Sequence, residues 1–380
     1  MPVSSHLKLC CVFFLGFMGA FLIFTNQVPA LSPELSGQLS GFISETRNEE
    51  TWRNVSGLRY IPQLSLNHSL SEESFIEAEV SLNSLLLFDD RDSEDTLTVK
   101  LYRVKLRLAT ARTETRVGLQ KINFGPAYLL RPLKWFDRLD PADPLGLTEG
   151  IYGLRFKYDS INNTSLWLWG LMGNDDPKGL EALGSVSGHP EYGGRLEYPV
   201  PSGELAVTLH RRRVDGAAFQ LPDFTENRYA LDGRWDLGPG LWFESVIFQR
   251  QSALLPFEWT KMITLGLDYT FGLGNGLYFL IEHMTAISSK SLLGWDEGSQ
   301  TTAVSLNYPI GLLDNLSFIG YYSWDLNRHL LNLNWRRTYD TVIINVNLFH
   351  SPQAPARRTA LETDAFSAGY GGRIMIIYNH

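Results

Sequence analysis

Beyond residue 30 the chain lacks three things. It has no cysteine, because the two in the sequence are Cys10 and Cys11, so the remainder can build neither a disulfide framework nor a thiolate metal site. It has no long apolar run, which excludes a bundle of spanning helices, each needing roughly 20 predominantly apolar residues. It has no excess of positive charge. The formal net charge is -8, and Lys8 is the only charged residue among residues 1–30, so the remainder stands one unit lower. A nucleic-acid binder is expected to carry a basic surface, so nucleic acid is excluded as a partner. No Ser-, Gly- or Pro-rich linker divides the chain either, which reads as one large domain.

The first 30 residues are of a different kind. His6 and Lys8 precede an apolar stretch from Leu9 to Phe24, and Val28-Pro29-Ala30 offers a small-residue cleavage site. This is the pattern of a secretory signal peptide, with 31–380 as the mature domain. A retained anchor is the alternative, but the stretch is short for a full span and no basic cluster comes after it. His6-Leu7-Lys8-Leu9 lacks the small residues that lipoprotein processing at Cys10 or Cys11 requires.

The chain is rich in aromatic residues (12%) and glycine (33 residues), and beyond residue 30 it alternates between apolar and polar positions. Tyr102, Val104, Leu106 and Leu108 alternate with Arg103, Lys105 and Arg107. Tyr152, Leu154, Phe156 and Tyr158 alternate with Gly153, Arg155 and Lys157, and Leu331, Leu333 and Trp335 with Asn332, Asn334 and Arg336. Segments of roughly ten residues with this period mark strands that present one face to lipid and the other to a polar lumen. Many end in Tyr, Trp or Phe, as aromatic girdles at the two bilayer interfaces require. About eighteen strands can be counted, starting near Gln38, Val55, Phe75, Thr98, Glu114, Ile151, Thr164, Tyr192, Glu204, Asn227, Leu241, Lys261, Gly276, Thr301, Asn315, Arg328, Thr341 and Ser367. Connections after even-numbered strands are mostly tight, such as Gly238-Pro239-Gly240. The long ones, including Phe124–Gly150 and Gly173–Glu191, come after odd-numbered strands. A water-soluble sandwich has no reason to sort its loops this way. The fold expected is therefore all-β, a transmembrane antiparallel β-barrel of about 18 strands, with 16 or 20 as alternatives, in contact with outer-membrane lipids.

The inward positions carry the informative charges. Arg103, Lys105 and Arg107 share a face of one strand, Arg116 lies on the next, and Arg155 and Lys157 on the one after. Together they form a basic wall, with Glu77 and Glu79 beside it and Asp268 and Glu282 further round. A cationic wall faced by carboxylates creates a transverse field that favours anionic or dipolar solutes. The alternative is that these charges pair with one another and stiffen the wall. The third long-side loop, Phe124–Gly150, is too apolar and aromatic for a freely solvated loop. Folded into the lumen, it would place Arg131, Lys134, Asp137, Arg138, Asp140 and Asp143 across the bore; packed outside, it would form a cap. The acidic run Asp89–Asp95 lacks the glycine and spacing of a calcium loop and reads as solvated, so no metal site is expected.

Arg116-Val-Gly-Leu-Gln-Lys-Ile-Asn-Phe-Gly125, followed by Leu139-Asp-Pro-Ala-Asp-Pro144, resembles the fifth-strand and loop region of porin-like Gram-negative outer-membrane barrels, including alginate-export-type channels. The likeness covers about Val99 to Asn174. It implies a channel for small polar or anionic solutes, export or uptake through the lumen, and no cofactor. It also implies insertion by the barrel-assembly machinery, which usually reads a terminal aromatic residue. This chain ends Tyr378-Asn379-His380, with its aromatic third from the end. The sequence leaves the oligomeric state open, a homo-oligomer included. Two other readings compete. One is a structural barrel with a plugged lumen. The other is a barrel enzyme such as a phospholipase, for which His210, His283, His329 and His350 and Ser245, Ser305 and Ser317 are available. No histidine and serine form a recognisable motif, and Glu282 and His283 must point to opposite faces of a strand, so no catalytic residue is assigned.

Overall fold

The computed structural model describes residues 32–48, 51–90, 95–137, 143–252, 254–351 and 369–380. The expected signal peptide lies outside the described residues, as do Arg91–Glu94 of the acidic run and most of the last long connection.

Antiparallel strands succeed one another along the chain. They are β1 (Ser32–Asn48), β2 (Thr51–Ser71), β3 (Ser74–Asp89), β4 (Thr96–Ala109), β5 (Thr113–Gln120), β6 (Ile151–Asp159), β7 (Ser165–Leu171), β8 (Glu191–Val200) and β9 (Gly203–Val214). After them come β10 (Phe224–Asp236), β11 (Gly240–Gln251), β12 (Trp259–Phe271), β13 (Leu277–Ser289), β14 (Glu297–Pro309), β15 (Asp314–Ser323), β16 (Arg328–Thr338), β17 (Val342–Ser351) and β18 (Gly369–Asn379). Each strand pairs with its sequence neighbours, and β1 pairs with both β2 and β18, closing an 18-stranded sheet. Sixteen and twenty strands are thereby excluded. Most strands begin within two residues of the expected place. The larger differences are at β1, β2 and β14, which start at Ser32, Thr51 and Glu297 rather than near Gln38, Val55 and Thr301. Those extensions (Ser-Pro-Glu-Leu-Ser-Gly, Thr-Trp-Arg-Asn and Glu-Gly-Ser-Gln) carry little lipid-facing apolar pattern, so pairing continues there with no alternation to read.

The packing is inside-out. On β16–β18 Leu331, Leu333, Leu348, Ile374 and Ile376 are exposed, while Asn332, Asn345, Asn347 and Arg373 are buried. Across β16–β17 the inward amides pair directly. Asn332 and Asn347 exchange hydrogen bonds of 3.2 and 3.0 Å, and Asn334 and Asn345 of 2.9 and 3.1 Å. Exposed Tyr158, Tyr198, Tyr269 and Tyr378 ring the outer surface at the short-turn end, and Trp52, Trp324 and Tyr370 mark it at the long-loop end, as interfacial girdles do.

Two departures from a uniform wall position the lumen chemistry. A bulge sets Ser81 opposite Arg103 but Leu82 opposite Leu101; the inserted residue shifts the register so that Arg103, Lys105 and Arg107 stay on the lumen face below it. Strands β5 to β7 are also short, so the described residues of the 121–150 connection leave the wall partway up and turn inward.

A charge on the lipid face of a spanning strand costs about 2–4 kcal/mol near the bilayer midplane. Leu333→Arg, in the middle of the apolar belt, should therefore lower stability by about that amount in urea unfolding from lipid vesicles. Ser317→Arg, on the lumen face of adjacent β15, should cost less than about 1 kcal/mol.

Candidate functional site

The basic wall assembles on β4, β5 and β6, but its two signs are interleaved rather than opposed. Directly paired positions set Arg107 against Arg116 and Arg116 against Arg155. Three guanidiniums thus stand in a row, an arrangement that is unfavourable unless something intervenes. Glu114 intervenes. It accepts from Arg107 Nε at 2.6 Å, from Arg116 Nη2 at 3.0 Å and from Arg155. On the other flank Lys105 bridges Glu79 at 2.6 Å and Glu77 at 3.7 Å, and Arg107 reaches Glu77 at 3.2 Å. Lys157 pairs with Asp159 at 2.9 Å. Arg103 stands apart, donating to the Thr148 carbonyl and hydroxyl, both at 2.9 Å. Glu114 was not among the expected pore residues, although its spacing of two from Arg116 puts both on one strand face.

The carboxylates expected to face this wall do something else. Glu282 is on the lumen face of β13 but fully covered. It accepts the backbone N–H groups of Tyr128, Leu129 and Leu130 at 2.7, 2.9 and 2.6 Å, and the Trp242 indole N–H at 3.0 Å. Glu244 on β11, also fully covered and not anticipated, accepts Ala127 N–H at 2.9 Å and Leu133 N–H at 3.0 Å. Between them the two carboxylates take five backbone N–H groups of residues 127–133, and the Thr264 hydroxyl donates to the Leu130 carbonyl at 2.9 Å. Gly125 makes the approach possible. Its φ is +93°, and a Cβ there would collide with Glu244 Oε1. Asp268 is taken by the Tyr278 hydroxyl at 2.9 Å and Gly240 N–H at 3.1 Å.

The connection thus lies within the barrel and touches two parts of its wall. Phe124, Trp135 and Phe136 pack into an aromatic cluster with Trp169 of β7, His210 of β9 and Phe248 of β11, at ring separations of 5.1 to 6.4 Å. Further along, Leu145 packs against Phe42, Val55, Leu85 and Met375 on β1, β2, β3 and β18. The charges expected across the bore are largely engaged in the connection itself. Arg131 contacts Asn123 and, at 3.5 Å, Asp137; both Arg131 and Asp137 are buried. Asp143 accepts Leu145 and Leu147 N–H at 3.1 and 3.3 Å. Lys134 is half-buried, and its carbonyl accepts Leu180 N–H at 3.1 Å. Arg138 and Asp140 lie outside the described residues. Burial lowers the pKa of the nearby Lys121 ammonium, opposed by Asp137.

A second network, unanticipated, ties the 172–190 connection to the wall. Glu181 bridges Arg212 at 2.9 Å and Arg228 at 2.6 Å; Lys178 reaches Glu191 at 2.7 Å; and Glu226 takes Arg212, Arg228 and Arg250 at 2.7–2.8 Å. His210 belongs to this network. The Trp169 indole can only donate, and does so to His210 Nδ1 at 3.1 Å, so Nε2 carries the proton and donates to Glu191 at 3.1 Å. Neither ring nitrogen is left to act as a base. His283 points outward, away from Glu282, and bonds Thr302 at 2.9 Å.

No protein-family model and no curated protein sequence matches the chain. Solved structures do match in fold. The crystal structure of Pseudomonas aeruginosa OccD3 superposes with a TM-score of 0.59 at 11% identity, covering 93% of each chain. The Vibrio cholerae outer-membrane protein OmpT, described in a trimer form, gives 0.53 at 11% identity over 93% of this chain and 100% of its own. An anion-selective porin from Comamonas acidovorans gives 0.50 at 12% identity over 92% and 100%. The chain has the fold of the Gram-negative outer-membrane porins.

Removing a buried acceptor strands its donors at about 1–3 kcal/mol each. Glu282→Ala combined with Glu244→Ala should therefore free residues 127–133 while the barrel stays folded. Trypsin should then cut after Lys134 in the folded variant and not in the wild type, as read by mass spectrometry of the fragments.

Proposed function

We propose that the protein is a channel in the outer membrane of a Gram-negative bacterium, passing small polar or anionic solutes through a lumen narrowed by the 121–150 connection. In this reading a signal peptide over 1–30 exports the chain, the barrel-assembly machinery inserts it, and its short turns face the periplasm. The observation that carries the reading is a closed wall whose lumen face gathers Arg107, Arg116 and Arg155 around the one carboxylate of Glu114, with Arg107, Arg116 and the Asp159-paired Lys157 still partly exposed. A lumen with that balance attracts anions and repels cations. The same fold in a porin described as anion-selective agrees with it. A plugged barrel is the second reading, and one observation favours it: the 121–150 connection reaches both the β11–β13 wall and the β1–β3 and β18 wall. Catalysis has less support, since His210 has both ring nitrogens occupied.

Planar-bilayer recording separates the first two. A channel gives discrete conductance steps, and its reversal potential in a salt gradient shows anion preference, reduced by Arg103→Ala combined with Arg107→Ala. Silence from correctly folded protein would sink the channel reading.

Assembly with further copies belongs to the same proposal. His283 and Thr302 form a hydrogen-bonded pair on the outer face of β13–β14, with Thr285 beside them, and polar groups in a lipid belt are costly unless another chain covers them. The chain beyond residue 30 lacks cysteine, so Thr285→Cys introduces a single thiol into the mature protein. If copies meet on this face, oxidation in membranes should give a disulfide-linked dimer on gels; a monomer band alone would argue against it.

A further inference from the structure

At the short-turn end of the lumen, the ends of β4 to β7 enclose a niche of about 420 Å³. Its size falls in the range of small-molecule sites, roughly 300–1,000 Å³. Arg107, Arg112, Arg116, Arg155 and Lys157 line it, against the carboxylates Glu114 and Asp159. The excess of cations comes from the register. The row Arg107–Arg116–Arg155 crosses three strands, and Glu114 is the one carboxylate shared by all three guanidiniums. Glu77, at the edge, reaches only Arg107 among them.

Two further observations show that this positive charge is unspent. Arg155 is more than nine-tenths buried, and its Nε has no acceptor among the described groups. Arg112, on the β4–β5 turn, has no ion pair among the described residues. The cations are nonetheless held in place. The Trp167 ring lies 4.8 Å from the Arg155 guanidinium carbon and 5.4 Å from Lys157 Nζ, which fixes both without neutralising either. A preorganised set of guanidinium forks in a confined lumen suits an anion with several oxygens on more than one side, which can accept two parallel N–H bonds from each fork. Chloride cannot do this, and a monocarboxylate offsets too little of the charge.

We propose that this niche binds a small multivalent oxyanion of the phosphate or short-dicarboxylate kind, in competition with Glu114 for the same guanidiniums. As a station on a transport route the site rests on the channel reading above; as a binding site it does not need an open lumen.

Calorimetric titration of the detergent-folded full-length mature protein at low salt and pH 7.5 tests it, with inorganic phosphate, succinate and acetate as probes and retained heat-modifiable migration on gels as the check of folding. Saturable binding of phosphate or succinate is expected, with acetate at least about tenfold weaker. Arg112→Ala lies on an exposed turn outside the ion-paired row and should weaken phosphate binding about tenfold. Glu114→Gln removes the internal competitor and should tighten it by a similar factor. Absence of saturable binding by folded wild-type protein, equal binding of acetate, or an unchanged affinity in Glu114→Gln would each overturn the proposal. A bilayer without conductance would bear on the channel reading alone.

Discussion

An unpaired backbone N–H or C=O in hydrocarbon costs several kcal/mol, and a sheet edge exposes a whole row of them. Most of this structure results from removing that row. β1 must pair on both sides, with β2 and with β18, because either free edge would lie in lipid. Closure fixes which face of every strand meets the acyl chains. Leu333, Leu348 and Ile376 face outward for the same reason that Asn332, Asn347 and Arg373 cannot. The lumen therefore becomes the only membrane-depth location for charge, and its side chains must satisfy one another, a loop or a solute.

The lumen groups meet that demand in three ways. Asparagines on β16 and β17 pair with each other and remain neutral. On β9, β10 and β11 the charges balance closely, with Glu181 and Glu226 distributed among Arg212, Arg228 and Arg250. That network packs the 172–190 connection onto the wall and leaves little field behind. On β4 to β6 the balance fails, because three arginines share Glu114. Stability alone would favour a second carboxylate there. Among the described residues, the imbalance marks a part of the lumen where positive charge exceeds the carboxylates that hold it.

How far these features were legible in the sequence depended on the distance over which each is determined. A spanning strand must declare its lipid face within ten residues, so β4, β6 and β16 could be read from period-2 alternation, and closure was then implied by the even count and the sorted loops. The bulge at Tyr102 left a trace that the strand-by-strand reading passed over, because the apolar positions change from odd (Leu97, Val99, Leu101) to even (Val104, Leu106, Leu108) and each run alternates cleanly by itself. Glu282 could be placed on the lumen face, yet its partners are backbone amides more than 150 positions away, and no local pattern encodes an amide donor. A fainter signal existed. Glu282 stands opposite Gly266 and Ala303, and Glu244 opposite Asp232 and Thr264, so neither has a cation across the ladder. A lumen carboxylate without a cationic neighbour must find donors elsewhere, and the apolar 121–150 connection has backbone amides in need of acceptors.

That pairing also changes what the connection can contribute. Had Arg131, Asp137 and Asp143 faced the bore, they would have set its selectivity directly. Instead the connection spends its side chains on its own packing and its backbone amides on Glu244 and Glu282, so in the proposed channel it would act mainly as bulk against β7–β13. The strongest field left to a solute in that channel is the arginine row on β4 to β6, next to the arc that the connection covers. Narrowing and charge selection thus fall to different parts of the chain. In the proposed channel the connection sets where a solute passes and Glu114 sets how much positive charge it meets, so each can be altered without the other.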